Sequence, residues 1–446
     1  MAFGVFLRCV HRCKSPADAR TSVLGKVSSP SGEDVVVFGP FNSNTPRRWK
    51  KPVDSARTRL ESRTRDLRLD GLMIQLKKLR KVLSLQEVIS SRRGQHASLQ
   101  LLSRRKMDVD LNMAIGAFLR KYPQVFEIFV HETEKNVCCR ITQRMADLIE
   151  EEARIIRESE SEAVRRLKKL LTISTRGALH VHALWLARRE LGLPDDFRTS
   201  VILNRPQDFR LETPETVSLV VSGDAEIEAE VEKWRERELR EKWLSEFEIR
   251  YAFPIHLPTG FEVEKGFREK LKNWQRLQYA KPYEKMEAAV RVRSCGGLER
   301  FEKRAVGIIH ELLSLTVEKM IEVERLSHFR RDFAMEVNVR ELLLKHPGIF
   351  YISTKGGGGS QVVFLREAYR RGCLMEPNSI YSVRRRMLDL ISMGRRTSGC
   401  PNQLTEPEGG VGHEMSRDPV EGQRGGQWVL PLLEILSQRG IHKFLH

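Results

Sequence analysis

The chain has 446 residues, 40% of them hydrophobic, which is enough for two or three domains with real cores. Its net charge of +18 points to a polyanionic partner or an anionic membrane surface. No apolar run approaches the ~20 residues that a membrane helix needs, so membrane insertion is not expected.

Residues 1–35 read as an organelle transit peptide. Over residues 1–31, Arg8, Arg12, Lys14, Arg20 and Lys26 face the single acid Asp18, and Phe3, Phe6, Leu7 and Val10 share one helical face. Such an amphipathic, arginine-bearing start favours a mitochondrion, with a chloroplast as the alternative. Residues 36–62 have the Pro, Ser, Asn and Gly content of a disordered linker. Order is expected from near Leu60.

Leu67–Ile89 has helical spacing, with Leu72, Leu76, Leu79 and Leu83 on one face and Lys77, Lys78, Arg80 and Lys81 beside it. Ile141–Leu171 reads as one helix that runs from Glu150-Glu151-Glu152 to Arg165-Arg166-Leu167-Lys168-Lys169. The change of sign implies that only its C-terminal part faces a polyanion. Leu179–Leu191 is the next apolar helix, ended by Gly192. Ala225–Lys242 alternates in charge and reads as a solvated spacer. In Phe267–Tyr283, Trp274, Tyr279 and Tyr283 lie among Lys270, Lys272, Arg276 and Lys281. These rings either stack on bases or anchor a helix in a core. Ala305–Leu326 is a long amphipathic helix, and 397–446 is a low-complexity tail.

One pattern occurs three times. Residues 118–142, 201–221 and 339–372 each carry P-x-x-F-x-[IL], at Pro123/Phe126/Ile128, Pro206/Phe209/Leu211 and Pro347/Phe350/Ile352. Each is preceded by an arginine pair: Arg104-Arg105, Arg188-Arg189 or Arg330-Arg331. The third copy reads as a helix, a proline stop, a strand, a turn at Gly356–Gly359, a returning strand and a helix from about Arg366. This is the element order of a winged helix-turn-helix, with repeat units near 104–142, 188–221 and 330–367. The expected fold is mainly α (α+β): tandem helix-turn-helix or winged-helix-like units, each with a short β-hairpin. Phe126, Phe209 and Phe350 are expected to be buried beneath their hairpins.

No P-loop, dinucleotide glycine fingerprint, H-E-x-x-H or G-x-S-x-G is present, and seven cysteines show no C-x-x-C pair or paired metal spacing. No catalytic residue, metal ligand, cofactor or small-molecule substrate is therefore expected. The candidate RNA-binding residues are Arg104, Arg105, Lys121, Arg165, Arg166, Lys168, Lys169, Arg188, Arg189, Arg205, Arg330, Arg331 and Lys345. They are expected to form one connected positive surface that grips phosphates.

Several stretches in order resemble the plant organelle RNA recognition domain: FLRKYPQVF, ELGLPDDFR at 190–198, YAFPIHLPTGF at 251–261, W-x-x-L-x-Y-x-x-P-Y at 274–283, EKRAVGIIHELLSLTVEK at 302–319, and LLLKHPGIFYISTKG with VVFLREAYRRG. The resemblance covers roughly Arg63–Arg396. It implies a nuclear-encoded land-plant protein imported into an organelle. It further implies that the protein binds introns, usually group II, and promotes their splicing in a ribonucleoprotein with other factors. The family supplies no catalytic residues to carry over. Gly356–Gly359 departs from the polar loop expected there. An organellar DNA-binding or transcription factor and a protein scaffold of a ribonucleoprotein are the alternative readings.

Overall fold

The computed structural model describes residues 60–393 apart from 93, 106–110, 112, 134, 221–226, 241–250, 259–260, 262–265 and 285, and gives the backbone alone at 62, 239, 286–298 and 358. The transit-peptide and tail assignments lie outside the described residues, as does the linker apart from Leu60–Ser62.

The first unit starts at α1 (Leu67–Ser90), whose N-terminal amides are capped by the Asp66 carboxylate. Its buried stripe runs from Leu69 to Ile89. There follow β1 (His96–Ser98), α2 (Leu99–Arg104), α3 (Ile115–Lys121), β2 (Phe126–Val130) and β3 (Val137–Ile141). Helix α4 (Gln143–Glu158) then leads into the second unit. That unit contains α5 (Glu160–Ile173), β4 (Ala178–His180), α6 (Val181–Leu186), α7 (Arg188–Leu191), a helical turn at Arg198–Leu203, β5 (Phe209–Thr213) and β6 (Thr216–Leu219). An insertion follows with α8 (Glu230–Arg240) and α9 (Phe267–Arg276). The third unit is α10 (Met286–Leu315), β7 (Met320–Glu322), α11 (Val323–His328), α12 (Val339–Lys345), β8 (Phe350–Ser353) and β9 (Val362–Leu365).

The fold is thus mixed α+β, and its three sheets have one topology. The orders are β1-β3-β2, β4-β6-β5 and β7-β9-β8, all antiparallel. Each first strand follows a left-handed residue: Gln95 (φ 53°), Gly177 (φ 66°) or Lys319 (φ 49°). Each proline makes the same turn. The carbonyl of the residue before it (Tyr122, Arg205 or His346) accepts the amides three and four residues later, each at 3.0 Å. The second of those amides belongs to Phe126, Phe209 or Phe350, which are 3%, 3% and 2% exposed. The proline bars the helix from continuing, and the phenylalanine closes the core under the hairpin.

Six expectations need correction. Ala305–Leu326 is not one helix, because α10 ends at Leu315 and β7 and α11 follow, and Leu179–Leu191 divides among β4, α6 and α7. Each expected hairpin is a three-stranded sheet, because a three-residue first strand is too short to show alternation. Ile141–Leu171 is two helices broken at Ser159. Arg366 opens a single 3-10 turn and then the ribbon β10 (Tyr369–Arg370) and β11 (Cys373–Leu374); the next helix is α13 (Ser379–Ser392), capped by the Asn378 side chain. Its turn uses left-handed Arg371 and Gly372. The supposed solvated spacer carries α8, with Val231 0% and Trp234 5% exposed. It docks because the Glu311 carboxylate caps its start, accepting the Val231 amide at 2.9 Å.

Two cores lie on either side of the third sheet. Phe350, Ile352, Val363 and Leu365 face the core built by the second and third units. Tyr351, Val362, Phe364 and Met320 face the core built by the first unit and α13. Every residue of β8 and β9 is buried. The third hairpin is therefore an internal partition, whereas β2 and β5 each keep residues in solvent.

Candidate nucleic-acid interface

The arginine pairs occupy comparable backbone positions with different surroundings. After the second pair, left-handed Gly192 turns the chain and the Leu193 amide returns to the Arg188 carbonyl at 2.8 Å. After the third, left-handed Ala334 does the same, and the Met335 amide reaches the Arg330 carbonyl at 2.9 Å. The side chains then diverge. Arg188 is ion-paired to Asp195 at 2.7 Å and lies 4.3 Å over the Trp185 ring, and Arg189 is 3.7 Å from Glu87. Arg330 is exposed and donates only to the Met335 carbonyl (2.9 Å), and exposed Arg331 has no ion pair among the described residues. Arg104, which ends α2, is exposed without an ion pair among the described residues, and Arg105 beside it is exposed.

The cations before the prolines divide likewise. Lys121 is exposed and makes no ion pair among the described residues. Arg205 is paired with Glu160 at 3.0 Å, and Lys345 with Glu302 at 3.1 Å. The basic run on α5 is largely neutralised. Arg165 pairs with Glu162 (2.7 Å), and Lys168 with Asp208 (2.8 Å). Arg166 is half-buried and donates to the Leu191 carbonyl at 3.1 Å; burial pushes its pKa down. Lys169 is 8% exposed and donates to Glu230 (2.9 Å) and to the Glu228 carbonyl (3.2 Å), with Glu311 at 4.0 Å. The expectation that this run faces a polyanion is thus corrected for Arg166 and Lys169. Glu230 and Glu311 fold onto the α5 end from the insertion and α10, and a buried ammonium already donating to carboxylates has no free N–H to give a phosphate.

The aromatic stretch at 267–283 anchors a core. Lys303 donates to the carbonyls of Trp274, Gln275 and Leu277 at 2.7, 2.9 and 2.7 Å, beneath the rings of Phe253, Trp274 and Tyr279. Tyr279 is 4% exposed, and Tyr283 donates to Glu311 at 2.7 Å. Tyr279 is buried, and Trp274 and Tyr283 are half-buried against the core, so these rings serve as anchors.

From the expected set, the exposed cations without ion pairs among the described residues are Arg104, Lys121, Arg330 and Arg331, and the helices and hairpins around the repeat prolines add four that sequence reading missed. Arg120 stands on α3, Arg198 on the helical turn before β5, Arg210 on β5 and Arg340 on α12. All four lie in the helix or hairpin around a repeat proline, which was the available signal. Trp185, 46% exposed beneath Arg188, was missed too. No described cluster of His, Cys, Asp and Glu has the make-up of a metal site, and no described helix is long and apolar enough to cross a membrane.

The model of the plant organelle RNA recognition domain matches residues 64–396. Protein ROOT PRIMORDIUM DEFECTIVE 1 of Arabidopsis thaliana is 39% identical over 382 residues, 83% of this chain and 92% of the relative. Protein WHAT'S THIS FACTOR 1, chloroplastic, of Zea mays is 31% identical over 81% of this chain and 73% of its own length. Protein WHAT'S THIS FACTOR 9, mitochondrial, of Arabidopsis thaliana is 28% identical over 77% of this chain and 91% of its own length. No solved structure matches the chain. On this evidence the chain belongs to the plant organelle RNA recognition domain family.

Proposed function

We propose that this protein binds organellar intron RNA, of the group II class, and promotes its splicing without chemistry of its own, in a ribonucleoprotein with other splicing factors. The family match over residues 64–396 carries the reading. Support also comes from exposed cations without ion pairs on the helix before the hairpin in each unit: Arg120 and Lys121, Arg198, and Arg340. The order helix, strand, two helices and hairpin, with the first strand beside the last, supports units of winged-helix type. Their exposed basic helices grip phosphates, so affinity falls with salt. The protein shifts the intron toward its splicing-competent fold by its differential affinity for that fold. The compartment is an organelle, mitochondrial by the composition of residues 1–35, with the chloroplast as the alternative.

The winged-helix order also favours a second reading, a duplex-DNA binder. Competition between a labelled intron domain, single-stranded RNA and double-stranded DNA separates the two. Preference for the intron RNA supports the first reading, and preference for duplex DNA overturns it.

A further inference from the structure

The outer face of the first unit's sheet differs from its counterparts. Its core row is Ala97 and Cys139, with Ile128 paired to Cys139 on the same side but 37% exposed, so the alternate residues point away from the core. There His96 sits across from Arg140, and Phe129 across from Cys138. His96 stacks on His131 at 5.0 Å and meets Phe129 edge-on at 5.9 Å. The Arg140 guanidinium lies 5.2 Å over the Phe129 ring. In the second unit the row matching His96 and Arg140 holds Ala178 and Ser218, and in the third it holds Met320 and Phe364, both buried. Among the described residues, only this sheet sets aromatic rings and a guanidinium on a face outside the two cores, with Arg140 exposed and His96, Phe129 and His131 half-buried.

We infer that this face, formed by His96, Phe129, His131 and Arg140, is a stacking platform for unpaired bases of single-stranded RNA. The inference rests on the RNA-binding reading above and gives that reading a place and a substrate class. Every base has a π-face, and rings and guanidinium planes on a sheet hold bases with little regard to sequence. The charge at the rim fits a nucleic acid strand. Arg92, where the chain leaves α1, and Lys135, in the β2–β3 turn next to His131, are exposed without ion pairs among the described residues and stand where phosphates would pass. Arg140 is itself neutralised by Glu127 at 2.8 Å, so it supplies a plane rather than net charge. A chain that bound RNA through cations alone would have no use for this row of rings.

The test uses the full-length protein and a labelled single-stranded oligouridylate, followed by fluorescence anisotropy across a salt series. Phe129→Leu keeps an apolar side chain, His96→Gln keeps a polar one, and Phe129→Tyr restores the ring. Phe129→Leu and His96→Gln should each weaken binding roughly 5- to 150-fold, the range for loss of one stacked base. The log–log salt slope should not change, since no phosphate-binding cation is removed. Phe129→Tyr should bind like the parent. If the parent binds and both Phe129→Leu and His96→Gln bind equally well, the platform is overturned while RNA binding stands. If the parent binds the intron domain but not the oligouridylate, the platform is overturned while the RNA-binding reading stands, and if it binds neither, both are overturned. Retained RNA affinity with loss of a co-purifying protein from the Phe129→Leu variant would assign the face to protein and also overturn the platform.

Discussion

The Thr175 backbone amide donates to the Asp332 carbonyl at 2.9 Å, and the same contact recurs with the partners exchanged. The Val317 amide donates to the Glu190 carbonyl at 2.7 Å. Thr175 and Val317 hold the same place in the second and third units, before the first strand, and Glu190 and Asp332 hold the same place after the arginine pairs. The two units therefore pack about an approximate two-fold relation and share one core. Such reciprocity follows from a repeat whose copies meet through like surfaces.

The two-fold is broken by chemistry at Glu190. Its side chain, 7% exposed, receives Arg325 of the third unit and lies 3.9 Å from Arg80 of the first; both arginines also reach Glu322. Asp332, its counterpart, is only half-buried. Replacing Glu190 by Gln leaves two arginines on one carboxylate. We expect a loss of about 2 kcal/mol, below the ~3–5 for removing a partner from a fully buried pair, because both arginines keep Glu322 and partial solvent contact. Chemical denaturation of the two proteins measures it. Asp332→Asn should change stability by less than half as much.

Phe350 lies in the partition between the cores, whereas Phe126 lies in the first unit alone, near Phe118 at 6.3 Å between centroids. Truncation of either to Ala should destabilise by ~3–5 kcal/mol. The spread of the damage should differ. Native-state hydrogen exchange should show protection falling in both α1 and α5 for Phe350→Ala, and mainly in α1–α3 for Phe126→Ala. Equal, local losses in both would mean that the third sheet does not couple the cores.

The third hairpin shows where sequence reading stopped short. Its strands FYIS and VVFL are continuous apolar runs rather than alternating ones, which marks a strand covered on both faces. They were legible as strands, yet the missing alternation also told that this hairpin could not be an exposed wing. The proline stops and the phenylalanines were legible because one ring and one fixed φ decide them locally. The fate of Lys168 and Lys169 was not. Their partners Asp208, Glu230 and Glu311 are distant in sequence, and only the docking of α8 on α10 brings the last two together.

His346 provides a pH dependence. Its ring packs at 4.8 Å from Trp274, and burial, followed by the nearby Lys345 and Lys303 charges, pushes its pKa from 6.5 down to about 3. The folded state keeps the imidazole neutral while the unfolded chain takes up a proton below 6.5. Stability is therefore lost as pH falls from about 6.5 toward 3, by at most ~1.4 kcal/mol per unit, and less to the extent that solvent reaches the ring. The first unit has Tyr122 in this place. His346→Tyr should flatten the acid limb of a stability–pH profile, and an unchanged limb would assign the loss to other groups.

Import is tested with a reporter. Residues 1–40 fused to a fluorescent protein should direct it to mitochondria, given their basic, acid-poor content. Plastid fluorescence would move the compartment and leave RNA binding untouched, whereas a cytosolic signal would count against an organellar role.

The arginine pairs separate phosphate contact from scaffolding. Arg188 and Arg189 are held by Asp195 and Glu87, while Arg330 and Arg331 make no ion pair among the described residues, and neither does Arg104. An arginine already paired must give up its carboxylate to take a phosphate, so its net contribution to RNA affinity is small. An unpaired, exposed one releases a counterion when it binds, and that release sets the salt slope. Replacing Arg104/Arg105 or Arg330/Arg331 by Gln should therefore weaken intron binding and flatten the slope by about one unit per lost contact. Gln at 188 and 189 should change the slope by less than half a unit, on the order of experimental error. The variants at 104/105 and 330/331 should melt close to the parent, because exposed arginines add little stability, whereas Arg188, 15% exposed and packed over Trp185, should show some loss. Equal effects from all three pairs would show that the carboxylate pairing does not decide which arginines meet RNA. No effect from any pair would remove these helices from the binding surface and leave the helices before the hairpins, with Arg120, Arg198 and Arg340, as the contact.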